Sequence, residues 1–110
     1  MARVICSAAL EIKAEELKIL DVRILSGFTD YLVIASGMSG RQVKAISDHL
    51  QGVVHKKYGR NPLGVEGEEQ ATWILIDYGD VVVHLFQTET RAFYRLEELW
   101  HDAKRIKFKL

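Results

Sequence analysis

The strongest constraint on the fold comes from two β-rich segments, residues 71–78 and 81–87, that only Gly79-Asp80 separates. A two-residue linker of this type forms the tight turn of a β-hairpin, so the segments are predicted to pair as antiparallel strands. If Tyr78 faces Val81, the facing residues on one side of the hairpin are all apolar: Ile76 opposite Val83, and Ile74 opposite Leu85. Because it is wholly apolar, this side is predicted to pack on the core. Its burial would also fix the register, since a one-residue slip would turn all of these side chains outward.

The other side of the hairpin is mixed. Its cross-strand pairs are Trp73 opposite Phe86, Leu75 opposite His84, and Asp77 opposite Val82. Asp77 and His84 are then diagonal neighbours, with backbones about 7–8 Å apart. They form either a hydrogen-bonded pair or part of a binding face, since no serine or cysteine beside them stands in a nucleophile context. Trp73 and Phe86 are either covered by a terminal helix or exposed as an aromatic patch of the kind that anchors protein interfaces.

A long amphipathic helix is predicted over residues 40–58. Ser39 followed three residues later by Gln42 is typical of a capping box at its start, and Gly59 is a left-handed terminator at its end. Apolar residues recur every three or four positions and form one stripe that can pack on a sheet: Val43, Ile46, Leu50, Val53 and Val54.

The remaining segments complete a single domain over residues 1–110. The predicted elements are an amphipathic helix at 2–12, a half-buried strand at 17–24, a central strand at 31–35 that is apolar on both faces, and a short helix at 89–100. The basic stretch 102–110 is predicted to be a frayed tail. Together these elements indicate an α/β fold with a mixed β-sheet packed by helices.

The charge balance narrows the function. Fifteen Lys and Arg residues against fifteen Asp and Glu residues give a formal net charge of zero, which excludes the broad basic field of proteins that wrap nucleic acid.

The only cysteine, Cys6, cannot form an intramolecular disulfide, and no apolar run approaches the roughly 20 residues of a membrane span. His49 and His55 lie on different faces of the predicted helix, so they are not expected to bind one metal ion together. We therefore expect a cytoplasmic protein without a membrane anchor, metal, cofactor or small-molecule substrate.

Several motifs between residues 10 and 101 share their order and spacing with one protein family. They are Leu20-Asp-Val-Arg23, Thr29-Asp-Tyr-Leu-Val-Ile-Ala-Ser-Gly37, Ser39, Arg41-Gln-Val-Lys-Ala-Ile46, Gly64-Val-Glu-Gly67, Trp73, Asp77-Tyr-Gly-Asp-Val-Val-Val-His-Leu-Phe86 and Tyr94-x-Leu-Glu-x-Leu-Trp100. This set resembles the ribosomal silencing factor family, also called RsfS or Iojap-like. Two departures from the family pattern are Leu32, where an aromatic residue is common, and the loosened segment Ser26-Gly27-Phe28.

The resemblance implies a nucleotidyltransferase-like α/β fold and a homodimer in the free state. It also implies binding to the large ribosomal subunit, through ribosomal protein L-fourteen at the intersubunit face. A protein bound there blocks joining of the small subunit and represses translation, which requires no chemistry. A dimeric ribosome assembly factor is left open as the alternative, because binding before and after assembly would look alike in the sequence. We expect a bacterial cytoplasmic protein, since no transit peptide is expected at its start, and a minor contact of the basic tail with ribosomal RNA.

The fold name raises a rival hypothesis, a working nucleotidyltransferase. Such an enzyme needs a Gly-Ser turn followed by an alternating pair of carboxylates on a strand, which hold two metal ions. Downstream of Gly37 and Ser39 the first acid is Asp48, within the predicted helix, and the later Asp77 and Asp80 flank a turn. Because the alternating pair is missing, the chain is predicted not to be an enzyme.

A partner-binding surface is predicted on the mixed side of the hairpin and at the start of the central strand. Aromatic, acidic and imidazole groups are the side chains that we expect to meet a basic ribosomal protein. The eight predicted contact residues are Thr29, Asp30, Tyr31, Trp73, Asp77, Asp80, His84 and Phe86.

Overall fold

A mixed β-sheet with two helices on one face organises the chain. The computed structural model describes residues 1–25, 27–90 and 104–106. Within these residues the strands are Glu15–Asp21 (β1), Tyr31–Gly37 (β2), Gly64–Glu66 (β3), Trp73–Asp77 (β4), Val81–Gln87 (β5) and Lys104–Ile106 (β6). The helices are Ala2–Glu11 (α1) and Gly40–Tyr58 (α2), and residues 88–90 are also helical. The predicted helix at 89–100 otherwise lies outside the described residues.

The strand order is β3-β4-β5-β2-β1-β6. β2 and β5 are parallel, whereas the other neighbouring strands are antiparallel. The residues of β2 from Leu32 to Ala35 are almost completely buried, because β2 lies in the middle of the sheet and is covered on both faces. The predictions of a central strand and of a mixed sheet packed by helices are confirmed.

The predicted hairpin register is confirmed. Trp73 pairs with Phe86, and Asp77 pairs with Val82. The amide of Tyr78 donates to the carbonyl of Val81 at 2.9 Å and closes the turn. The apolar side of the hairpin packs in one buried cluster with α1 and α2, as predicted.

α2 has the predicted boundaries, and Gln42 fixes its start. The Ser39 hydroxyl accepts from the Gln42 amide at 3.1 Å, which caps the helix. The Gln42 side chain accepts from the Met38 amide and donates to the carbonyls of Ile12 and Lys13 just after α1. One side chain therefore joins the end of α1 to the start of α2. Gly59 ends the helix with a φ of 65°, a left-handed conformation that glycine adopts without strain.

The structure corrects the end of the first strand and the predicted tail. β1 ends at Asp21 instead of residue 24, because the Asp21 carboxylate accepts from the Arg23 amide and binds its guanidinium, which turns the chain away from the sheet. The tail is not frayed at Lys104–Ile106, since these residues pair with β1 as the edge strand β6. The physical reason is that Ile106 packs against the core cluster, which offsets the loss of backbone freedom. Residues 107–110 lie outside the described residues.

Candidate partner-binding surface

The structure divides the predicted contact residues between the two ends of the hairpin. At one end, the amides of Asp30 and Tyr31 both donate to the carbonyl of Asp80, at 3.0 and 3.1 Å. Trp73 and Phe86 lie at the other end, four strand residues beyond Asp77, which corresponds to about 13 Å. The predicted contact residues are therefore spread along the hairpin, with Asp77 and His84 between its two ends.

Asp80 is already paired within the chain. Its carboxylate binds the guanidinium of Arg60 at 2.9 Å, and Arg60 also donates to the Tyr78 carbonyl. The hydrogen bond from Arg60 is the main cause that lowers the pKa of Asp80. Because both side chains are partly exposed, this ion pair contributes little to stability but orients the hairpin turn.

Asp77 stabilises the turn that follows it. Its Oδ1 accepts from the Gly79 amide at 2.7 Å, and Gly79 has a φ of 89°, which favours glycine. The hydrogen bond described for His84 goes to Trp73 instead. Of the two possibilities for Asp77 and His84, a mutually hydrogen-bonded pair is therefore absent from the contacts of the described residues.

Trp73, His84 and Phe86 form an aromatic cluster on the second face of the sheet. The indole Nε1–H of Trp73 donates to Nδ1 of His84 at 3.1 Å. The Trp73 ring stacks on Phe86 with centroids 4.9 Å apart, and the His84 ring lies nearly parallel to Phe86. Burial lowers the pKa of His84 to about 4, so the imidazole is neutral near pH 7. Since Nδ1 accepts a hydrogen bond, the imidazole proton is on Nε2.

Burial corrects the predicted contact set. Phe86 is 0% exposed, Thr29 6% and His84 8%, so none of the three presents an appreciable surface to a partner. Phe86 is inside because the second face of the sheet forms its own apolar cluster with Val22, Leu32 and neighbouring residues. The Tyr31 side chain packs against the core cluster on the helix-bearing face instead. Asp30 and Asp80 are exposed, and Trp73 is half-buried.

Trp73 borders a cleft that the sequence analysis missed. The cleft has a volume of about 400 Å³, and we call it the Trp73 cleft. It is lined by Val65, Gly67, Glu68, Glu69, Gln70, Thr72 and Trp73. Gly67 has a φ of 89°, and a Cβ there would collide with the Trp73 carbonyl, so the loop can fold over the start of β4 only with glycine. The signal in the sequence was the run of acids directly after Gly64-Val-Glu-Gly67.

The Trp73 cleft is acidic. Residues 64–73 contain Glu66, Glu68 and Glu69 and no lysine or arginine. Within the part of the chain that the structure describes, these three carboxylates take part in no ion pair. Among the described residues, these carboxylates are therefore negative charges without an ion-pair partner, near a half-buried tryptophan.

A second exposed surface lies in the loop between β1 and β2, at the same end of the sheet as Asp30. Ile24 is 97% exposed and Phe28 67%, and Leu25 is also exposed. The base of this loop is held by Asp21 with Arg23 and by the Val22 amide, which donates to the Asp30 carbonyl. We call this segment the apolar loop, after the exposed side chains of Ile24, Leu25 and Phe28. The sequence pattern placed Ile24 in the half-buried strand predicted at 17–24, but Ile24 lies after the end of β1 and is exposed.

The described residues offer no catalytic metal site. They contain no group of three or more His, Cys, Asp and Glu side chains that could hold a metal ion. β2 carries no carboxylate, and Asp48 is an exposed residue of α2. Among the helices that the structure describes, none has the length and apolar character to cross a membrane.

Known proteins with similar sequences and structures point to one family. The family described as "Ribosomal silencing factor during starvation" (RsfS) matches residues 1–110. The chain is 44% identical to ribosomal silencing factor RsfS from Halalkalibacterium halodurans, in an alignment that covers 86% of this chain and 80% of that protein. It is 36% identical, over 79% of its length, to 39% of the mouse protein named "Mitochondrial assembly of ribosomal large subunit protein 1". A crystal structure of a Chromobacterium violaceum protein matches with a TM-score of 0.86 and 33% identity, over 99% of this chain and 89% of that one. The resemblance is confirmed, and the chain belongs to the RsfS family of ribosomal silencing factors.

Proposed function

We propose that this protein silences ribosomes by binding ribosomal protein L-fourteen on the large subunit and blocking joining of the small subunit. The observation that carries the proposal is the Trp73 cleft, a concave surface with an aromatic wall and acidic neighbours. Tryptophan is enriched among the residues that dominate binding energy at protein interfaces. Its ring also attracts the lysine and arginine side chains of a basic partner.

Electrostatics support a local docking site. The chain as a whole is neutral, so it would not be held near ribosomal RNA by a broad basic field. The three carboxylates of residues 64–73 would instead steer the Trp73 cleft toward a basic protein surface. Silencing by this route is steric, because a body of 34 × 33 × 27 Å at the intersubunit face would prevent the subunits from meeting. We propose no enzymatic step and a bacterial cytoplasmic location.

Sucrose-gradient sedimentation of purified ribosomal subunits at fixed magnesium concentration tests the proposal. We expect the protein to comigrate with the large subunit and to reduce joining of the small subunit. Free protein at the top of the gradient, with joining unchanged, would refute the ribosomal role of this chain.

A ribosome assembly role is the second candidate, and the name of the mouse relative favours it. An assembly factor would comigrate with precursors of the large subunit and leave the joining of mature subunits unchanged. The same gradients, run with precursor particles, separate the two functions. In either case, the basic residues from Lys104 onward would add a minor contact with ribosomal RNA.

Neutralising the acidic side of the Trp73 cleft should weaken binding in a salt-dependent way. For the double variant Glu68→Gln and Glu69→Gln, we expect an about tenfold weaker affinity for purified ribosomal protein L-fourteen at low salt. The loss should shrink toward 1 M salt, where the Debye length falls to about 3 Å. Isothermal titration at two salt concentrations measures both effects. The double variant Glu15→Gln and Asp48→Asn, which removes two exposed carboxylates away from the cleft, is the matched control. An equal loss at both salt concentrations would mean that these carboxylates do not act through charge.

The free protein is proposed to be a homodimer that uses the apolar loop. Exposed, neighbouring apolar side chains often mark an interface. Changing Ile24 to Asp should raise the dimer dissociation constant about tenfold or more, because a charge would have to be desolvated in the contact. Sedimentation equilibrium measures this change. Met38→Asp is the control, since Met38 is also exposed but follows the opposite end of β2. If both variants dimerise like the wild type, the apolar loop is not the dimer surface.

A further inference from the structure

We propose that His84 is a positioning residue, which holds the Trp73 indole in the orientation that the partner recognises. This inference rests on the proposed function of the Trp73 cleft. His84 is buried and does not itself contact the partner, so it acts on binding through its contact with Trp73.

The stacking on Phe86 does not by itself fix the orientation of the indole. Trp73 and Phe86 face each other across β4 and β5, with ring centroids 4.9 Å apart and an angle of 29° between the planes. This contact sets the distance between the two ring planes. It does not determine in which direction Nε1 points, because stacking has little preference for rotation in the ring plane. A directional hydrogen bond, by contrast, favours one orientation of the indole over the other.

His84 supplies that directional contact. It lies two residues before Phe86 on the same face of β5 and is therefore the diagonal cross-strand neighbour of Trp73. Its Nδ1 accepts the indole N–H at 3.1 Å, with ring centroids 5.9 Å apart. The alternative orientation of the indole would give up this hydrogen bond and leave the buried imidazole nitrogen without it, which is unfavourable.

The imidazole is well suited to act as a fixed acceptor. At 8% exposure it has little contact with water, and its ring lies at 11° to that of Phe86, with centroids 6.2 Å apart. Burial and the neighbouring Phe86 ring thus restrict the movement of the acceptor. The partner would meet a preformed aromatic wall, which avoids the cost of ordering a tryptophan during binding.

The test compares His84→Phe, which keeps an aromatic ring but has no acceptor, with His84→Gln, which offers a carbonyl acceptor. The Trp73 indole N–H is followed by ¹H–¹⁵N NMR in the free protein and assigned with Trp73→Phe. For His84→Phe we expect an upfield shift of this resonance, faster exchange with water, and about 3- to 10-fold weaker binding to the large subunit. His84→Gln should recover both properties in part.

Two results would overturn the inference. One is an unchanged indole resonance in His84→Phe, and the other is a shifted resonance combined with wild-type affinity. If His84→Phe does not fold, the indole resonance and the affinity of His84→Gln are compared with those of the wild type, and long-range ¹H–¹⁵N spectra of the wild type report the His84 tautomer. A proton on Nε2 is required, and a proton on Nδ1 would refute the contact. If the wild type does not bind the large subunit although the indole responds to His84→Phe, the proposed function fails and the contact between the two residues stands.

Discussion

Replacing Trp73 with alanine should weaken binding to the large ribosomal subunit by about 30-fold or more, or about 2 kcal/mol, while the protein stays folded. The reason is that the half-buried ring forms the aromatic wall of the Trp73 cleft. The variant also loses the stacking on Phe86, so a modest decrease in melting temperature should accompany the loss of binding. Binding is measured by sedimentation with subunits, and folding by circular dichroism.

Trp73→Phe is the matched control for this experiment. It keeps a six-membered aromatic ring that can stack on Phe86 and border the cleft, but it removes the five-membered part of the indole together with its N–H. We expect it to bind more tightly than Trp73→Ala. A folded Trp73→Ala variant with wild-type affinity would remove the Trp73 cleft from the proposed function. An unfolded variant would show that Trp73 belongs to the core.

Replacing Phe86 with alanine should lower the free energy of unfolding by about 3–5 kcal/mol. Phe86 is completely buried in the apolar cluster of the second sheet face, where Trp73 stacks on it. Removal of its ring leaves a cavity that the rigid strands on either side cannot fill. Because domains of this size are stable by only about 5–15 kcal/mol, much of the stability would be lost. Urea denaturation monitored by circular dichroism gives the free energy directly.

Leu75→Ala is the comparison for Phe86→Ala. Leu75 lies on the same face of the hairpin but is only half-buried, so its loss should cost about 1 kcal/mol. A similar small cost for Phe86→Ala would mean that Phe86 is not a core residue. In that case the original prediction of Phe86 as a contact residue would regain support.

The local part of the fold was predictable. The register of β4 and β5 follows from a two-residue turn and from alternation, and both act within about 17 residues of sequence. The bounds of α2 follow from Ser39, Gln42 and Gly59, whose effects extend over one helical turn. The predicted site was less accurate, because alternation assigns Trp73, His84 and Phe86 to one face without showing what covers that face.

The sequence by itself determined the hairpin, the long helix, the central strand and the family, because these depend on near neighbours or on whole motifs. Only the tertiary structure decided that Phe86 is core while Trp73 borders a cleft, that His84 bonds to Trp73 and not to Asp77, and that Lys104–Ile106 pairs with β1. The physical reason is that burial and side-chain hydrogen bonds depend on segments far apart in the chain. A local sequence pattern does not show which distant segment packs against it.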